Sequence, residues 1–412
     1  MRLVSKQRHR QNFIIMLLVI MNSLNSTILF ADNLYFITLS VLVLMLFVYV
    51  RKISIITSSL QKISLFLAVL FVLYILKQRV IHPLFMLNTS LKIFLSYLAI
   101  RLLKRDGFFY YLKEIVYLGA QISIPLYLVQ LVSFDFIFNF ISSVQNAIPL
   151  LARETANFSN IIVWGARPDS VYRNSGFMWE PGAFAAMLLF PIYIELNPNN
   201  KKINRKSIVL VIALLTTLST MGYLALLVLF LYYIRTTGKK LSLLLLPLFI
   251  IVGLLILQQD FVLNKIQFEL GRQDEIEEHV YTTNNESASL GRIGSFRHDV
   301  SDWKSDPIIG TGGDTNPFKG QLGTVINRTN GLSRFLLRFG VLGVLVYFSG
   351  VYRSFYFTSE HNKRFTGFIA ITLLMILSFS NELLAKPLFL GFALIYVVAP
   401  TKKVLNFTPF KF

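Results

Sequence analysis

The segment at positions 173–186 combines two charged side chains with residues that typically begin a helix. It reads RNSGFMWEPGAFAA and continues into apolar sequence. Pro181 suits the first turn of a helix, where a backbone N–H is not needed. Glu180 then lies at the N-cap, where its carboxylate can accept backbone hydrogen bonds and face the positive helix end. Because residues 174–176 (Asn, Ser, Gly) favour a turn, Arg173 and Glu180 are expected to lie close together.

From these residues alone, two interpretations of the segment are open. A carboxylate and a guanidinium held together can perform acid–base chemistry and bind an anion. The simpler interpretation is a capped helix that enters a bilayer, with Arg173 extending its charge to the interface. The choice depends on the kind of protein that surrounds the segment.

The composition predicts an all-α, polytopic integral membrane protein. Hydrophobic residues make up 54% of the chain and charged residues only 15%, with a mean hydropathy of +0.60. A soluble domain has about a quarter charged residues. The formal charge of +19 is spread between apolar runs and forms no basic face, which argues against a nucleic-acid partner. Cysteine is absent, which excludes disulfides and thiolate-bound metal.

Positive charges between the apolar runs predict that both termini are cytoplasmic. On this map residues 1–412 form one transmembrane helical domain, with large external loops at 133–179 and 258–330. The first loop opens with apolar residues that suit a helix along the membrane surface. Lys77 and Arg79 fall on the external side, against the rule. The predicted spans, about 12 in number, cover residues 13–30, 34–50, 63–76, 84–100, 114–132, 181–196, 208–234 as two helices that meet near 219–222, 241–257, 332–352, 365–379 and 387–398.

The external loops carry more arginine than lysine, whereas the inner loops favour lysine. Positive charge on the outer face opposes the topology, so these residues are candidates for function. Arginine binds phosphate oxygens through paired hydrogen bonds and always stays charged. Arg334 and Arg338 are one helical turn apart and share a face. Ion pairing to the acidic run at 274–278, or contact with lipid headgroups, is the alternative. The outer cations are Arg153, Arg167, Arg173, Arg272, Arg292, Arg297, Arg328, Arg334 and Arg338, against Lys265, Lys304 and Lys319.

Other chemical templates do not fit the sequence. There is no GxxxxGK[ST] loop for a nucleotide, and GTGGDT lacks the lysine of such a loop. The five histidines are scattered without the spacing of zinc ligands, so no metal site is predicted. Carboxylates are nearly absent from the predicted helix interiors, apart from Glu195 near an inner end and Glu382 near an outer end. A proton- or ion-driven transporter usually needs such groups at mid-membrane.

Several stretches in order resemble a known family. RNSGFMWEPGAFA matches a pattern of Arg, Gly, an aromatic residue and Glu-Pro at an outer helix start. TLSTMGYLALL resembles a Ser/Thr-Gly hairpin between two middle helices. SLGRIGSFRHDVSDWKSDPIIGTGG and TNGLSRFLLRFGVLGVLVYF resemble a large external loop and the helix start that follows it. Together these stretches, within residues 172–348, resemble the O-antigen polymerase and ligase superfamily of bacterial envelopes.

The resemblance implies a glycosyltransferase of the bacterial inner (plasma) membrane. Its implied partners are the lipid bilayer, undecaprenyl-diphosphate-linked oligosaccharides and a chain-length regulator, with no cofactor. A hydroxyl of one unit attacks the anomeric carbon of another, and the lipid diphosphate leaves. Such a site mainly positions its substrates and neutralises charge on the leaving group. The expected catalytic residues are Glu180 as base, Arg173, and His298 in reserve; the expected substrate-binding residues are Arg292, Arg334, Arg338, Asn330 and Trp179.

Two departures from the family pattern favour a repeat-unit polymerase over a ligase. Ligases of this superfamily have a histidine directly before the asparagine of the last motif, where this chain has Thr329. Many relatives have an arginine in the middle hairpin, where this chain reads Met221 and Gly222. A lipid-linked oligosaccharide flippase is the rival from another class. It does not need the large external loop, and it requires charged helix interiors that the chain lacks.

Overall fold

The structure is a computed structural model that describes residues 2–24, 34–148, 152–155, 158–161, 163–168, 171–196, 204–237, 287–313, 325–356 and 363–398. Within them the chain is mainly helical, as its composition predicts. The helices are α1 (Arg2–Met21), α2 (Leu34–Val50), α3 (Ser58–Gln78), α4 (Pro83–Val132), α5 (Phe134–Ala147), α6 (Pro181–Glu195), α7 (Arg205–Thr216), α8 (Thr220–Thr237), α9 (Arg292–Trp303), α10 (Gly331–Tyr356), α11 (Lys363–Ser380) and α12 (Pro387–Val398). By length and composition, α3, α4, α10 and α11 are long and apolar enough to cross a membrane. The larger number of spans stays a prediction.

Most helix positions follow the apolar runs. Helices α2 and α12 begin and end at the predicted residues, and α7 and α8 meet at a turn over residues 217–219. The limits of the first helix differ from the predicted span of 13–30, because α1 runs from Arg2 to Met21 and residues 22–24 are not helical. The predicted fourth and fifth helices are confirmed as two helical segments of α4, which meet at a kink at Lys104, where φ is 58°. The predicted helix at 241–257 lies outside the described residues.

Helix α6 lies at the centre of the packing. All of its residues are buried, because its sequence is apolar on every side and neighbouring helices surround it. Phe190 packs against the rings of Phe355 and Phe392 from α10 and α12. At its far end the buried Glu195 pairs with Lys113 of α4. The start of α6, at Pro181, is therefore held in place by the whole bundle.

The first predicted external loop has structure of its own. Helix α5 lies where a helix along the membrane surface is predicted, and its position at a membrane stays a prediction. Its Ile137 and Ile141 pack with Trp164 in a small separate core. The three short antiparallel strands are β1 (Ala152–Thr155), β2 (Phe158–Ile161) and β3 (Trp164–Ala166). The sequence analysis did not predict them, because strands of four residues or fewer leave little alternation to detect.

The second predicted external loop is tied into α10. Strands β4 (Ser287–Leu290) and β5 (Val325–Arg328) pair in parallel around α9, which packs on α10. Helix α10 is interrupted at Gly340, where φ is 63°. The interruption frees the carbonyls of Leu337 and Arg338 and the N–H groups of the residues one turn later. Residues 307–312 satisfy all four groups through backbone hydrogen bonds of 2.8–3.0 Å. The PIIGTG stretch is thus built into the helix.

The C-terminal end of α3 is attached to the same stretch. Lys77 forms an ion pair with Asp306, and Gln78 donates to the carbonyl of Thr311. The Tyr74 hydroxyl donates to the carbonyl of Arg338 at 2.9 Å. Lys77 was one of two cations on the unexpected side of the topology map, and its charge is balanced here by an acid of the predicted external loop.

Candidate functional site

The turn that precedes α6 is rigidly held. Asn174 is fully buried, and its side chain donates to Ser123 of α4 and Thr216 of α7 and accepts from the N–H of Gly176. Gly176 has a φ of 52°, and a side chain there would clash with the ring of Phe184. This explains why the segment needs Asn and Gly at these positions. The turn joins the first family-like motif to the hairpin of the second.

Arg173 lies against that hairpin. Its Nε donates to the carbonyl of Thr217 at 3.2 Å, and its own carbonyl accepts from Gln130. Thr217 is the residue that follows the last turn of α7, so the guanidinium binds the partly negative end of a helix. Arg173 is partly exposed. Its contacts therefore place it at the α7–α8 turn, one part of the site.

Glu180 is the N-cap residue of α6, with extended backbone and with Pro181 directly after it. The position is as predicted, but the capping role is wrong, because the carboxylate makes no hydrogen bond to the helix start. The space next to Gly182 is tight. A methyl group there would stand 3.0 Å from Asn381 Nδ2, 3.4 Å from Ser380 Oγ and 3.8 Å from Glu180 Oε1. Glu180 thus borders the connection between α11 and α12.

Residues 380–382 (Ser-Asn-Glu), at the end of α11 and the start of its connection to α12, bring the large-loop motifs to the same place. Arg292 at the start of α9 donates from Nε to the carbonyl of Ser380 at 3.4 Å. Arg334 on α10 forms an ion pair with Glu382. Gly331 packs so closely against the backbone of Asn381 that any side chain would overlap its carbonyl. Arg292, Arg334 and Glu180 therefore converge on one short connection, here called the SNE connection.

Asn381 is the member of the SNE connection with unused hydrogen-bonding capacity. Its side chain is 3% exposed, and its Nδ2 has no hydrogen-bond partner within the described part of the chain. A buried amide donor without a partner costs about 1–3 kcal/mol. Such a group next to Glu180 marks a place where an oxygen-rich ligand would gain a hydrogen bond. Ser380 and Asn381 are not among the site residues predicted from the sequence, although three consecutive polar residues at the end of an apolar run were a usable signal.

A buried ion pair holds the elements that carry Arg292 and Arg334 in place. Arg328 at the end of β5 pairs with Asp299 of α9 at 2.9 Å and with Asp302 at 2.6 Å. Asp299 is fully buried and also accepts a 2.5 Å hydrogen bond from Ser333 of α10. Burial raises the pKa of Asp299, while the hydrogen bonds from Ser333 and Arg328 act in the opposite direction. The pair fixes α9 and β5 against the start of α10, and so it positions Arg292 and Arg334.

We expect Asp299→Asn to lower the stability of the protein by about 3 kcal/mol, because it leaves the buried Arg328 with one remaining acid. Asp302→Asn is the matched control, since Asp302 contacts the same guanidinium but is about one-third exposed. It should cost about 1 kcal/mol or less. Thermal unfolding in detergent measures both. Equal melting temperatures for the two variants would contradict this description of the pair.

The remaining predicted residues are distributed around this centre. Asn330 is fully buried and caps α10, with Oδ1 accepting from the N–H groups of Leu332 and Ser333 at 3.1 Å. Its Nδ2 lies 3.4 Å from the carbonyl of Arg292, so it aligns that residue. Trp179 packs against the main core, and His298 is half-buried on α9. Their predicted roles in binding and catalysis stay predictions.

Arg338 lies with Arg334 as their spacing predicts. The two arginines and Glu382 line a small pocket, together with Phe335, Phe339 and Ala385. Among the described residues, the acid that pairs with Arg334 is Glu382; the acidic run at 274–278 lies outside them. Ion pairing, given in the sequence analysis as the alternative for the outer arginines, therefore does hold for Arg334.

The arrangement of arginines and one carboxylate around the SNE connection is suited to binding a polyanion next to a hydroxyl group that reacts. Arginines from α9 and α10 surround the SNE connection, and one carboxylate, Glu180, lies beside it without a capping bond. Among the described residues, no group of three or more acidic or histidine side chains is placed to hold a metal ion. No family model, curated protein or solved structure matches the chain.

Proposed function

We propose that the protein is a glycan polymerase that joins undecaprenyl-diphosphate-linked oligosaccharides by block transfer at the outer face of a bacterial plasma membrane. The observation that carries the proposal is the convergence of Glu180, Arg292 and Arg334 on the SNE connection. These residues come from three distant parts of the sequence, and all belong to stretches that resemble the polymerase and ligase superfamily. The outer location, the substrates and a chain-length regulator as partner are part of the proposal.

In the proposed reaction, the Glu180 carboxylate removes the proton from the acceptor hydroxyl as its oxygen attacks the anomeric carbon. The bond from that carbon to the lipid diphosphate breaks, and its electron pair leaves with the diphosphate oxygen. Arg292, Arg334 and Arg338 offset the negative charge that develops there. Arg173 holds the α7–α8 turn and the acceptor side of the site. Asn381, which the sequence analysis did not name, donates its amide N–H to a substrate oxygen.

Glu382 has a positioning role in this proposal. It shares the Nη1 of Arg334 with the carbonyl of Arg328, so the guanidinium plane is fixed before substrate binds. A fixed arginine loses little entropy when it binds a diphosphate, which favours the leaving group in the transition state.

The flippase and the ligase are the competing functions. A flippase transports its lipid by rocking one part of the bundle against another. Residues 307–312 are built into α10 by four backbone hydrogen bonds, and such an element favours a fixed external site. A ligase differs in its acceptor, and Thr329 stands where its histidine is expected. The Thr329 hydroxyl donates to the carbonyl of Leu290, which is a structural contact.

In a strain that depends on this gene for polymer, Arg292→Ala should reduce the polymer ladder at least tenfold, since one charged hydrogen bond to a leaving group contributes roughly 1.5–3 kcal/mol. Arg297→Ala is the matched control, because Arg297 lies on the same helix but is exposed. It should leave the ladder unchanged at equal membrane protein level. If both variants behaved alike, the site around the SNE connection would be rejected as the place of reaction.

The outward orientation is tested by introducing single cysteines, which the chain lacks. Ser301 on α9 and Ser54 between α2 and α3 are both exposed and are predicted on opposite faces of the membrane. In intact spheroplasts, Ser301→Cys should react with a membrane-impermeant thiol reagent and Ser54→Cys only after permeabilisation. The reverse pattern would place the site on the wrong face for this function.

A further inference from the structure

Helix α3 is the most loosely packed of the long apolar helices. Only 17% of its most apolar stretch is buried, compared with 50% for α11. Its attachments lie near its two ends. Thr57 and Ser59 bond to Tyr97 and to the carbonyl of Val397, and Lys77 and Gln78 bond to the 306–311 stretch. Between these ends the helix stands away from the bundle.

An apolar cavity of about 400 Å³ fills the space behind α3. Its walls are α3, α4, α10 and α12. Phe66, Leu67, Phe335 and Tyr347 are typical of its lining, and Arg338 reaches it at one end. A second apolar cavity of about 350 Å³ lies between α3 and α4 and shares Ile63, Leu67 and Ile93 with the first. The two cavities therefore lie beside the same part of α3, within residues 60–71, and have a common wall.

The apolar cavity is continuous with the charged site. Phe335, Arg338, Phe339 and Ala385 line both the cavity and the small pocket that holds Arg334 and Glu382. Arg338 is near the outer end of α3, since its carbonyl accepts from Tyr74. Lys62, at the opposite end of the cavity, lies about 18 Å back along the helix from Tyr74. The cavity is mostly apolar, with Arg338 at one end, Arg334 in the adjoining pocket, and Lys62 and Lys92 also in its lining. Such a space is complementary to an amphiphile whose anionic head lies at Arg338.

We propose that this cavity binds the polyprenyl chain of the lipid-linked substrate, with the diphosphate at Arg338 and Arg334 and with α3 as a wall open to the bilayer. The inference rests on the proposed function and adds the binding site of the chain. Leu67 lies in the wall between the two cavities, so on this proposal a chain longer than the first cavity enters the second by displacing this side chain. The site would then favour long polyprenyl chains over short ones.

The test measures binding without requiring polymer formation. The probe is undecaprenyl diphosphate without sugar, added to the purified full chain in detergent and quantified by native mass spectrometry. Leu67→Trp fills the junction of the two cavities and should weaken binding at least tenfold. Leu65→Trp is the matched control, because Leu65 lies on the same helix but is 66% exposed, and it should bind as wild type does.

Three further measurements distinguish a polyprenyl site from an ordinary phospholipid groove and from a misfolded variant. Binding of geranyl diphosphate, which has a short chain, should be retained in Leu67→Trp, and this also shows that the variant is folded. Thr89→Trp places a large side chain from α4 in the first cavity. It should weaken the binding of undecaprenyl diphosphate as Leu67→Trp does. Excess phosphatidylglycerol should not displace undecaprenyl diphosphate from the wild type.

Unchanged binding of undecaprenyl diphosphate in both Leu67→Trp and Thr89→Trp would overturn the inference. Displacement by phosphatidylglycerol would also overturn it, because it would indicate a groove for common phospholipids. Neither result would contradict the proposed polymerase function, because that function is tested by the amount of polymer formed. Conversely, selective loss of long-chain binding in Leu67→Trp would support the chain site even if the wild type made no polymer.

Discussion

Glu180→Gln should abolish polymer while the protein remains folded and inserted. A general base contributes typically about 10²–10⁴-fold to a rate, and glutamine cannot accept the acceptor proton. The structure sharpens this expectation, because the Glu180 carboxylate makes no capping hydrogen bond whose loss would disturb α6. The measurement is the polymer ladder in cells, normalised to the amount of membrane protein, with thermal unfolding measured on the same preparation.

Two companion variants make this result specific. Glu180→Asp keeps the carboxylate but withdraws it by one methylene, so some polymer should remain. Glu195→Gln changes the other glutamate of α6, which pairs with Lys113 at the opposite end of the helix. It should lower stability but leave polymer per folded molecule unchanged. Near-normal polymer from Glu180→Gln would remove Glu180 from the chemistry and direct attention to His298.

Gly340→Ala should prevent normal folding around α10. Gly340 has a φ of 63°, which costs a residue with a side chain roughly 1–2 kcal/mol. A methyl group there would also stand 2.3 Å from the carbonyl of Ile308, so the 307–312 stretch would have to leave the helix. The backbone hydrogen bonds across the break would be lost, each worth about 1 kcal/mol. We expect a total loss of about 3 kcal/mol or more.

The control for this variant is Gly107→Ala in α4. Gly107 is helical, and its nearest neighbour would be Leu103 Cβ at an ordinary 3.6 Å. Alanine is the better helix former, so this change should be neutral or stabilising. Melting temperatures in detergent and monodisperse yield measure both variants. A Gly340→Ala protein as stable as Gly107→Ala would mean that residues 307–312 are not bound to α10 as described.

Much of the helical framework could be predicted from the sequence. Apolar runs bounded by charges placed α2 and α12 at their observed limits, since burial and length together define such helices. The charges between the apolar runs on either side of Lys104 correctly indicated two helical segments, although not that the two meet directly at a kink. The break in α10 was also missed. This break depends on hydrogen bonds to residues 307–312. Contacts with a separate segment do not show in the local hydrophobic pattern of a helix.

Parts of the candidate site could be predicted, because the type and spacing of single residues indicate their chemistry before the fold is known. Glu180 before a proline and Arg334 beside Arg338 were placed correctly. The SNE connection, on which these residues converge, was not predicted. Ser380 and Asn381 become part of the site only because they pack against Gly182 and Gly331. Arg328 shows the reverse case. In sequence it resembled the other outer arginines, whereas its burial with Asp299 makes it a structural residue.

The most direct test of the polymerase proposal is reconstitution of the purified wild-type protein in liposomes that contain one defined undecaprenyl-diphosphate oligosaccharide. We predict products that lengthen by whole repeat units, with one free undecaprenyl diphosphate released for each unit added. The Glu180→Gln protein should release none. Movement of the intact lipid-linked oligosaccharide across the bilayer, without longer products and without released undecaprenyl diphosphate, would contradict the proposal and identify a transporter.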